Sequence, residues 1–244
     1  MIDELCNVAV ENAAELSKNN QDAFREIRRS GLGASDSSVV LGVNPFKDNN
    51  EAELIRQKIS DTPTANELKI GQMVNVRKGS DLEPLIIQKF IDKFGRTDLI
   101  KPPHMYELKD MSFLRINYDG LLMDCIDEIP VEVKFISKYG AKYYEFEKCI
   151  TSLDDEPIRP SSAETITASY VKDMAKKTGI PVYYYTQIQQ QLMGTGADYA
   201  YLTGLWDDDW TLYTWKVYRD ERTIEQLKLK GYKVWQKVNQ LKTK

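Results

Sequence analysis

The sequence predicts one α/β (or α+β) domain, on three observations. Apolar residues recur at helical spacing from 82 to 94. The period changes to strand-like alternation between 99 and 135, where turn residues interrupt it. A second helical pattern over 182–193 is followed by two more strand patterns. This order of helix, strands, helix, strands and helix fits a single mixed domain, and no repeat or long linker divides the 244 residues.

Composition and charge narrow the class of protein. With 42% hydrophobic and 29% charged residues, the chain is typical of a globular protein. The net charge of −4 counts against a protein that coats nucleic acid through its overall charge. It does not exclude a local basic groove, because steering depends on where the charges lie. No apolar run approaches the roughly 18 residues of a membrane span. An acidic N-terminus and three unpaired cysteines predict a cytoplasmic location without membrane contact.

The N-terminal third is predicted to be helical. An acidic amphipathic pattern indicates the first helix, and Ser35 or Asp36 is well placed to cap a short apolar helix through Val39–Leu41. In the long helical pattern that ends at Gly95, Pro84 indicates a kink or a restart near Ser80. The predicted helices are 2–17, 22–30, 51–59 and 68–94.

The remaining elements follow from alternation and turn signals. A meander of about three or four strands is expected between 99 and 135. After it, a polar loop with two prolines covers 150–162, and a weak helix runs to about 177. The other predicted elements are a helix over 139–148, a helix over 182–193, strands over 197–206 and 210–218, and a C-terminal helix over 222–241.

The chemistry is concentrated in Ile116–Ser137. Asp119 lies at the first turn of this stretch, and Glu132 and Lys134 lie two residues apart on its last strand, so both side chains share one face. Carboxylates are natural ligands of Mg²⁺. A lysine beside them can orient or deprotonate the attacking water, or stabilise the developing charge. The combination indicates a metal-dependent phosphodiesterase site.

Each of these residues also has a plainer explanation. Asp119–Gly120 is a common hairpin turn signal, and Glu132 with Lys134 could form a solvated strand face. Glu83 completes a Ser80-to-Glu83 capping box, or it is a further carboxylate over the metal; spacing does not separate these roles.

A helical face carries polar residues that suit either of two roles. Tyr184, Gln187 and Gln191 lie on one face of the helix predicted over 182–193. Their side chains could reach the site or face solvent. His104, which follows two prolines, is interpreted as structural or surface, so histidine chemistry is not expected.

Five sequence blocks follow one another along the chain, and their order is more specific than any one of them: RRSGLGASDSSVVLGVNPF, GSDLEP, NYDG, VEVK and YYTQIQQQL. Between about Phe24 and Tyr218 the chain therefore resembles the phage-type alkaline exonucleases, the lambda-exonuclease-like, YqaJ-type viral recombinases of the PD-(D/E)XK nuclease superfamily. The resemblance implies a restriction-endonuclease-like mixed sheet flanked by helices. A single nuclease domain over 1–244 would have its core at 24–218 and its terminal helices as extensions.

The resemblance also implies an activity. Members digest linear double-stranded DNA 5′→3′ with Mg²⁺, for which Mn²⁺ is the expected substitute, in phage or prophage recombination. A single-strand annealing protein would be the partner, a trimeric ring the assembly, and the bacterial host cytoplasm the location. Asp119 and Glu132 would be metal ligands, helped by the Val133 carbonyl and by Glu83, and Lys134 would act at the nucleophilic water.

The same resemblance assigns the DNA end and a supporting helix. Arg28 and Ser35 match the positions that hold the 5′-terminal phosphate, in agreement with anion binding by a guanidinium and a helix N-terminus. Tyr184 and Gln187 match the helix whose glutamine contacts the site. The Q-x-x-x-Y variant of RecB-type relatives is not matched, because Gln191 follows Gln187.

Two alternatives stay open. The first is a sibling endonuclease or a Cas4/RecB-like single-strand nuclease, whose iron–sulfur versions need four cysteine ligands where this chain has three. The second is a non-catalytic DNA-end-binding protein that retains the fold.

Overall fold

A computed structural model describes residues 2–13, 15–16, 21–71, 73–124, 127–157, 159 and 167–243. The helices are α1 Ile2–Leu5, α2 Gln21–Arg29, α3 Ser37–Val40, α4 Glu51–Ile59, α5 Ala65–Gly71, α6 Val74–Phe94, α7 Ala168–Thr178, α8 Val182–Thr195 and α9 Glu221–Lys242. The strands are β1 Cys6–Val10, β2 Leu32–Gly33, β3 Leu99–Ile100, β4 Met105–Leu108, β5 Met111–Ile116, β6 Gly120–Met123, β7 Glu128–Ile136, β8 Tyr199–Trp206 and β9 Leu212–Tyr218. Within this part of the chain, no helix is long and apolar enough to cross a bilayer.

The strands of the described residues form two sheets. One has the order β1-β4-β5-β2, and the other has the order β3-β6-β7-β8-β9. In the second sheet β7 and β8 run parallel, from Val131 opposite Tyr201 to Ile136 opposite Trp206, whereas the other neighbours are antiparallel. The α/β prediction, with a mixed sheet flanked by helices, is confirmed.

Helices cover both faces of β7. Val131 and Val133 point to one face and pack with Ile86 and Phe90 of α6 in a buried cluster. Their neighbour Glu132 points to the other face and is also buried, because α8 lies there. A strand buried on both faces explains why six of the nine residues of β7 are apolar, and it rules out a solvated strand face at Glu132.

Helix α8 comes unusually close to the first sheet. A Cβ atom at Gly194 would lie 2.4 Å from the Tyr118 hydroxyl and 2.6 Å from Ile116 Cδ1. The Tyr118 hydroxyl donates to the Gln191 carbonyl at 3.0 Å. Only glycine permits this approach, which brings the polar residues of α8 within reach of both sheets.

The expected N-terminal helix over 2–17 is wrong. The helix ends at Leu5, and Cys6–Val10 is a strand that pairs with β4 in antiparallel register from Cys6 opposite Leu108. The segment CNVAV contains two β-branched residues, and pairing with a sheet edge outweighs a weak helical pattern. The C-terminal helix, by contrast, spans Glu221–Lys242, close to the prediction.

The helices before the sheet correct two predictions about caps. Asp36 precedes α3, but its side chain makes no helix cap and accepts instead from the Gly33 amide at 2.9 Å. Ser80 lies inside α6 and bonds back to the Val76 carbonyl, so Glu83 initiates no helix. The restart lies at Val74 instead, and the helix continues through Pro84.

Two further expectations about the chain's turns fail. Asp119–Gly120 does not close a hairpin, because the flanking strands β5 and β6 belong to different sheets. The helix expected over 139–148 is replaced by two 3₁₀ turns, Ala141–Tyr143 and Phe146–Lys148. Of the predicted weak helix, Ala168–Thr178 is helical, whereas residues 160–166 lie outside the described part.

Candidate active site

Asp119 is held in place by the end of a strand pairing. Strand β6 begins at Gly120, which lies opposite Val131 of β7. Beyond that pair the Val133 amide has no β6 residue to bond, and the Asp119 carboxylate accepts from it at 2.9 Å. The point where the two strands separate therefore fixes a carboxylate beside β7.

Glu132 is a fully surrounded carboxylate, with 1% of its surface exposed. It accepts hydrogen bonds from Lys134 Nζ, Gln187 Nε2 and Gln191 Nε2. Lys134 Nζ also lies 3.5 Å from Asp119 Oδ2 and donates to the Val133 carbonyl at 2.9 Å. The structure thus brings together Asp119, Glu132, the Val133 carbonyl and Lys134, as the sequence predicts.

The charges of this cluster are strongly coupled. Burial, and then the nearby Asp119 carboxylate, raise the pKa of Glu132 to about 7. Burial alone would lower the pKa of Lys134, but Glu132 and Asp119 together raise it above its ordinary value. Lys134 is therefore a persistent cation, and the group with the adjustable charge is Glu132.

Helix α8 supports the cluster from the opposite side. The Tyr184 ring lies under the ammonium of Lys134, with 5.4 Å from Nζ to the ring centroid, a cation–π contact. Gln187 and Gln191, at i and i+4, both donate to Glu132. The polar face of this helix is the inner one, so the solvated-face interpretation is wrong.

A second group of polar residues lies around the 3₁₀ turn Ala34–Asp36, which follows strand β2. The Arg28 guanidinium donates to Ser35 Oγ at 3.3 Å, and both residues are exposed. Beneath them Lys58 Nζ donates to the Arg28 carbonyl at 2.8 Å and to Asp36 Oδ2 at 2.7 Å. Burial would raise the pKa of Asp36, but Lys58 and Arg28 hold it below its ordinary value. The buried Lys58–Asp36 ion pair positions Arg28 and Ser35.

A helix dipole contributes little to this group. Ser35 lies in the 3₁₀ turn Ala34–Asp36, and the helix after it, α3, has only four residues. The anion site expected at this turn therefore depends on the Arg28 guanidinium rather than on a helix N-terminus.

One cleft of about 220 Å³ joins the two groups. Its lining residues are Phe24, Arg28, Gly33, Ala34, Ser35, Met105, Arg115, Asn117, Asp119, Glu132, Lys134 and Gln187. The residues that match the DNA-end positions and the acid–lysine cluster thus open into the same space, although up to about 100 residues separate them in sequence.

Glu83 does not join this cleft. Its carboxylate forms an ion pair with Lys101, and it is not among the cleft-lining residues. In the described ranges, no three histidine, cysteine or acidic side chains gather as a metal-binding cluster. Glu83 as a further carboxylate ligand stays a prediction, because the structure holds its carboxylate in an ion pair outside the cleft lining.

The remaining donors still suit a hard divalent cation. Asp119, Glu132 and the Val133 carbonyl offer only oxygen atoms, and Mg²⁺ is bound by one or two carboxylates with water completing its shell. The two carboxylates face the single positive charge of Lys134, so a cation would balance the remaining negative charge when both are ionised. The residues fit a Mg²⁺ ion.

Sequence reasoning missed three residues that connect the parts. Lys58 looked like an ordinary helix residue, Arg115 an ordinary strand residue, and Gln190 one more glutamine in a run. Gln190 is 1% exposed, and its Nε2 donates to the Leu32 and Arg115 carbonyls, both at 3.0 Å. The signal available was the run of three glutamines, since buried amides need several partners each.

Replacing Gln190 with leucine should destabilise the protein. The change leaves two strand carbonyls and the Ser37 hydroxyl, which donates to Gln190 Oε1 at 2.6 Å, without their partner. We expect a loss of about 3 kcal/mol or more in the free energy of unfolding, measured by urea denaturation. Gln88→Leu, on the exposed side of α6, is the control and should change it by less than about 0.5 kcal/mol. Equal effects would contradict the role of Gln190.

Known structures share this fold. The alkaline exonuclease LHK-Exo from Laribacter hongkongensis is 17% identical, with a TM-score of 0.56 over 88% of this chain and 91% of its own. The structure of LHK-Exo in complex with dAMP is 18% identical to this chain, with a TM-score of 0.58 over 91% of this chain and 96% of its own. A phage related exonuclease from Haemophilus somnus 129PT is 14% identical, with a TM-score of 0.52 over 86% and 94%.

Sequence comparison gives the family. The uncharacterized protein YqaJ of Bacillus subtilis (strain 168) is 26% identical over 135 residues, which are 55% of this chain and 40% of that protein, so the chain matches less than half of its relative's length. The model of the YqaJ-like viral recombinase domain matches residues 23–198. Because this match covers well over half of the chain, the protein belongs to the YqaJ-like viral recombinase domain family.

Proposed function

We propose that this protein is a Mg²⁺-dependent exonuclease that digests linear double-stranded DNA from its 5′ ends in phage or prophage recombination. The observation that carries the proposal is the shared cleft, in which Asp119, Glu132 and Lys134 lie with Arg28 and Ser35. An acid–lysine cluster suits phosphodiester cleavage, and the exposed guanidinium of Arg28 suits a terminal phosphate. The fold shared with structures named as exonucleases supports the same activity.

Each residue has a chemical role in this proposal. Asp119, Glu132 and the Val133 carbonyl would hold the metal, which when bound supplies positive charge at the scissile phosphate and acidifies a water. Lys134, kept cationic by its two carboxylates, orients the attacking water and stabilises negative charge on the phosphate. Gln187 and Gln191 hold Glu132, and Tyr184 supports the ammonium from below.

Arg28 should control the preference for phosphorylated ends. In this proposal its guanidinium binds the terminal phosphate, so Arg28→Ala should lower the ratio of digestion rates for 5′-phosphate and 5′-hydroxyl ends by about tenfold or more. The measurement is initial rates on two duplexes that differ only in that phosphate. Arg56→Ala, which removes a surface guanidinium from α4, should leave the ratio unchanged. A ratio of one in the wild type would remove this role.

An exonuclease differs from its alternatives in requiring a free end of duplex DNA, so linear and circular substrates separate them. We expect loss of linear duplex with Mg²⁺ or Mn²⁺, no loss with EDTA, and intact covalently closed circular duplex throughout. Cutting of the circle would favour an endonuclease, and faster loss of linear single strands would favour a Cas4/RecB-like nuclease. Binding to ends without any cleavage would favour a non-catalytic end-binding protein.

The proposed setting follows from the same activity. Digestion from 5′ ends leaves 3′ single strands, so a single-strand annealing protein is the natural partner. We propose that residues 1–244 act as one nuclease domain within a homo-oligomer, with a trimeric ring as the expected form, in the bacterial cytoplasm. The thiols of Cys6 and Cys149 are free, as suits a reducing compartment, and Cys125 lies outside the described residues.

A further inference from the structure

Arg115 is a cleft residue to which the proposed function gives no role. It lies on β5 and lines the cleft together with Arg28 and Ser35. In the parallel pairing of β2 with β5 it is opposite Gly33, two residues before Ser35. The backbone register thus places Arg115 next to the turn that presents Ser35, on the side of the cleft where the DNA end is proposed to bind.

The guanidinium of Arg115 is fixed but not saturated. Its Nη1 lies 3.0 Å from Glu107 Oε2 on the neighbouring strand. Its stem runs against Gly31, where a Cβ atom would lie 2.5 Å from Arg115 Cγ. Within the described residues its Nε is buried and has no hydrogen-bond partner. The buried Nε faces Gly31 rather than the cleft. A guanidinium carries five N–H donors and one carboxylate engages at most two of them, so the Nη groups of Arg115 keep donors for a ligand while Glu107 and Gly31 hold the side chain still.

Charge explains what that ligand is. In the described part of the cleft, Lys134 is shared by two carboxylates, Asp119 and Glu132, whereas Arg115 pairs with the single carboxylate of Glu107. Arg28 and Arg115 are therefore the two guanidiniums that line this part of the cleft. A phosphate monoester carries a charge of about −1.5 to −2 at neutral pH, whereas a diester carries −1. Two guanidiniums therefore match a terminal phosphate better than one, and they would distinguish it from an internal diester or a hydroxyl.

We infer that Arg115 binds the 5′-terminal phosphate of DNA together with Arg28, as a second guanidinium of the end-binding subsite. This inference rests on the proposed function and adds a specificity-determining residue to it. Arg115 is not a ligand of the metal and moves no proton. It sets how strongly a phosphorylated end is preferred over a hydroxyl end.

Binding without cleavage tests this inference separately from nuclease activity. Affinities for 5′-phosphate and 5′-hydroxyl duplexes are measured in EDTA by fluorescence anisotropy. We expect the wild type to prefer the phosphorylated end, and Arg115→Gln to reduce the affinity ratio by about tenfold or more. Arg115→Lys keeps the charge but loses the planar fork, so its ratio should lie between the two. For the phosphorylated duplex, the slope of log affinity against log salt concentration should be smaller by about one in Arg115→Gln than in the wild type.

The matched control is Arg96→Gln, which removes another half-buried guanidinium held by a carboxylate, Asp98. Its affinity ratio should equal that of the wild type. The inference is overturned if the wild type binds both ends equally, if the Arg115 variants keep the wild-type ratio, or if Arg96→Gln loses it as well. If Arg115→Gln does not fold, an unchanged ratio in Arg115→Lys overturns it. Absence of Mg²⁺-dependent cleavage in the wild type would reject the proposed exonuclease without altering this binding result.

Discussion

Lys134→Ala should abolish DNA hydrolysis while leaving DNA binding in place. Its ammonium contacts Glu132, lies 3.5 Å from Asp119 and is held over the Tyr184 ring. Without it, the scissile phosphate loses its cationic donor, and the pKa of Glu132 rises further because Lys134 lowers it. We expect a rate decrease of about 10³-fold or more, in the range measured when one preorganised donor is removed.

The control for this change is an exposed lysine two residues beyond the end of β7. Lys138→Ala removes an exposed lysine that pairs with Asp208, and its rate should match that of the wild type. Affinity for duplex ends in EDTA should be retained in both variants, because Arg28 and Ser35 are untouched. Cleavage by Lys134→Ala at the wild-type rate would exclude the acid–lysine cluster as the cutting centre.

Glu132→Gln should remove both activity and a pH dependence of stability. The wild-type carboxyl has its pKa raised from 4.5 to about 7 in the folded protein. Between these values the folded state holds a proton that the unfolded state has lost, so the free energy of unfolding decreases as pH rises. Above about pH 7 both states are ionised, and this contribution no longer changes. An amide at position 132 does not titrate.

Urea denaturation in EDTA between about pH 4.5 and pH 7 measures this effect. We expect the wild type to lose stability across the window and Glu132→Gln to show a flatter profile. Among the described residues, the groups that interact with Glu132 include Asp119, Lys134, Gln187 and Gln191, together with the tyrosines Tyr144 and Tyr184. Glu225→Gln, on the exposed side of α9, should keep both activity and the wild-type profile. A wild-type profile in Glu132→Gln would show that its carboxyl is not the titrating group.

The sequence predicted the proximity of Glu132 and Lys134 well because strand alternation is local. Glu132 and Lys134 are two residues apart on one strand, so their nearness needs no knowledge of tertiary structure. Asp119 was placed correctly but for the wrong reason. It ends no hairpin; it accepts from the Val133 amide where β6 stops pairing with β7. Which strands share a sheet depends on long-range pairing that a local turn signal does not contain.

The failures of sequence reasoning have the same physical origin. Cys6–Val10 forms a strand because β4 offers it an edge nearly 100 residues away in the chain. Glu83 is expected to contribute a carboxylate from the long helix, and in the structure this carboxylate pairs with Lys101 outside the cleft lining. Gln190 and Lys58 were missed because their partners lie on distant elements, and the folded chain shows that these polar groups are buried.

In the proposed function, the Asp119–Glu132–Lys134 cluster cuts DNA from an end that Arg28 and Ser35 hold. Product analysis on a linear duplex labelled at one 5′ end, with and without Mg²⁺ and the 5′ phosphate, tests it most directly. We predict that the label is released first as a mononucleotide, only with the metal, and faster from a phosphorylated end. Release of the label first in long fragments, or equally without metal, would contradict the account.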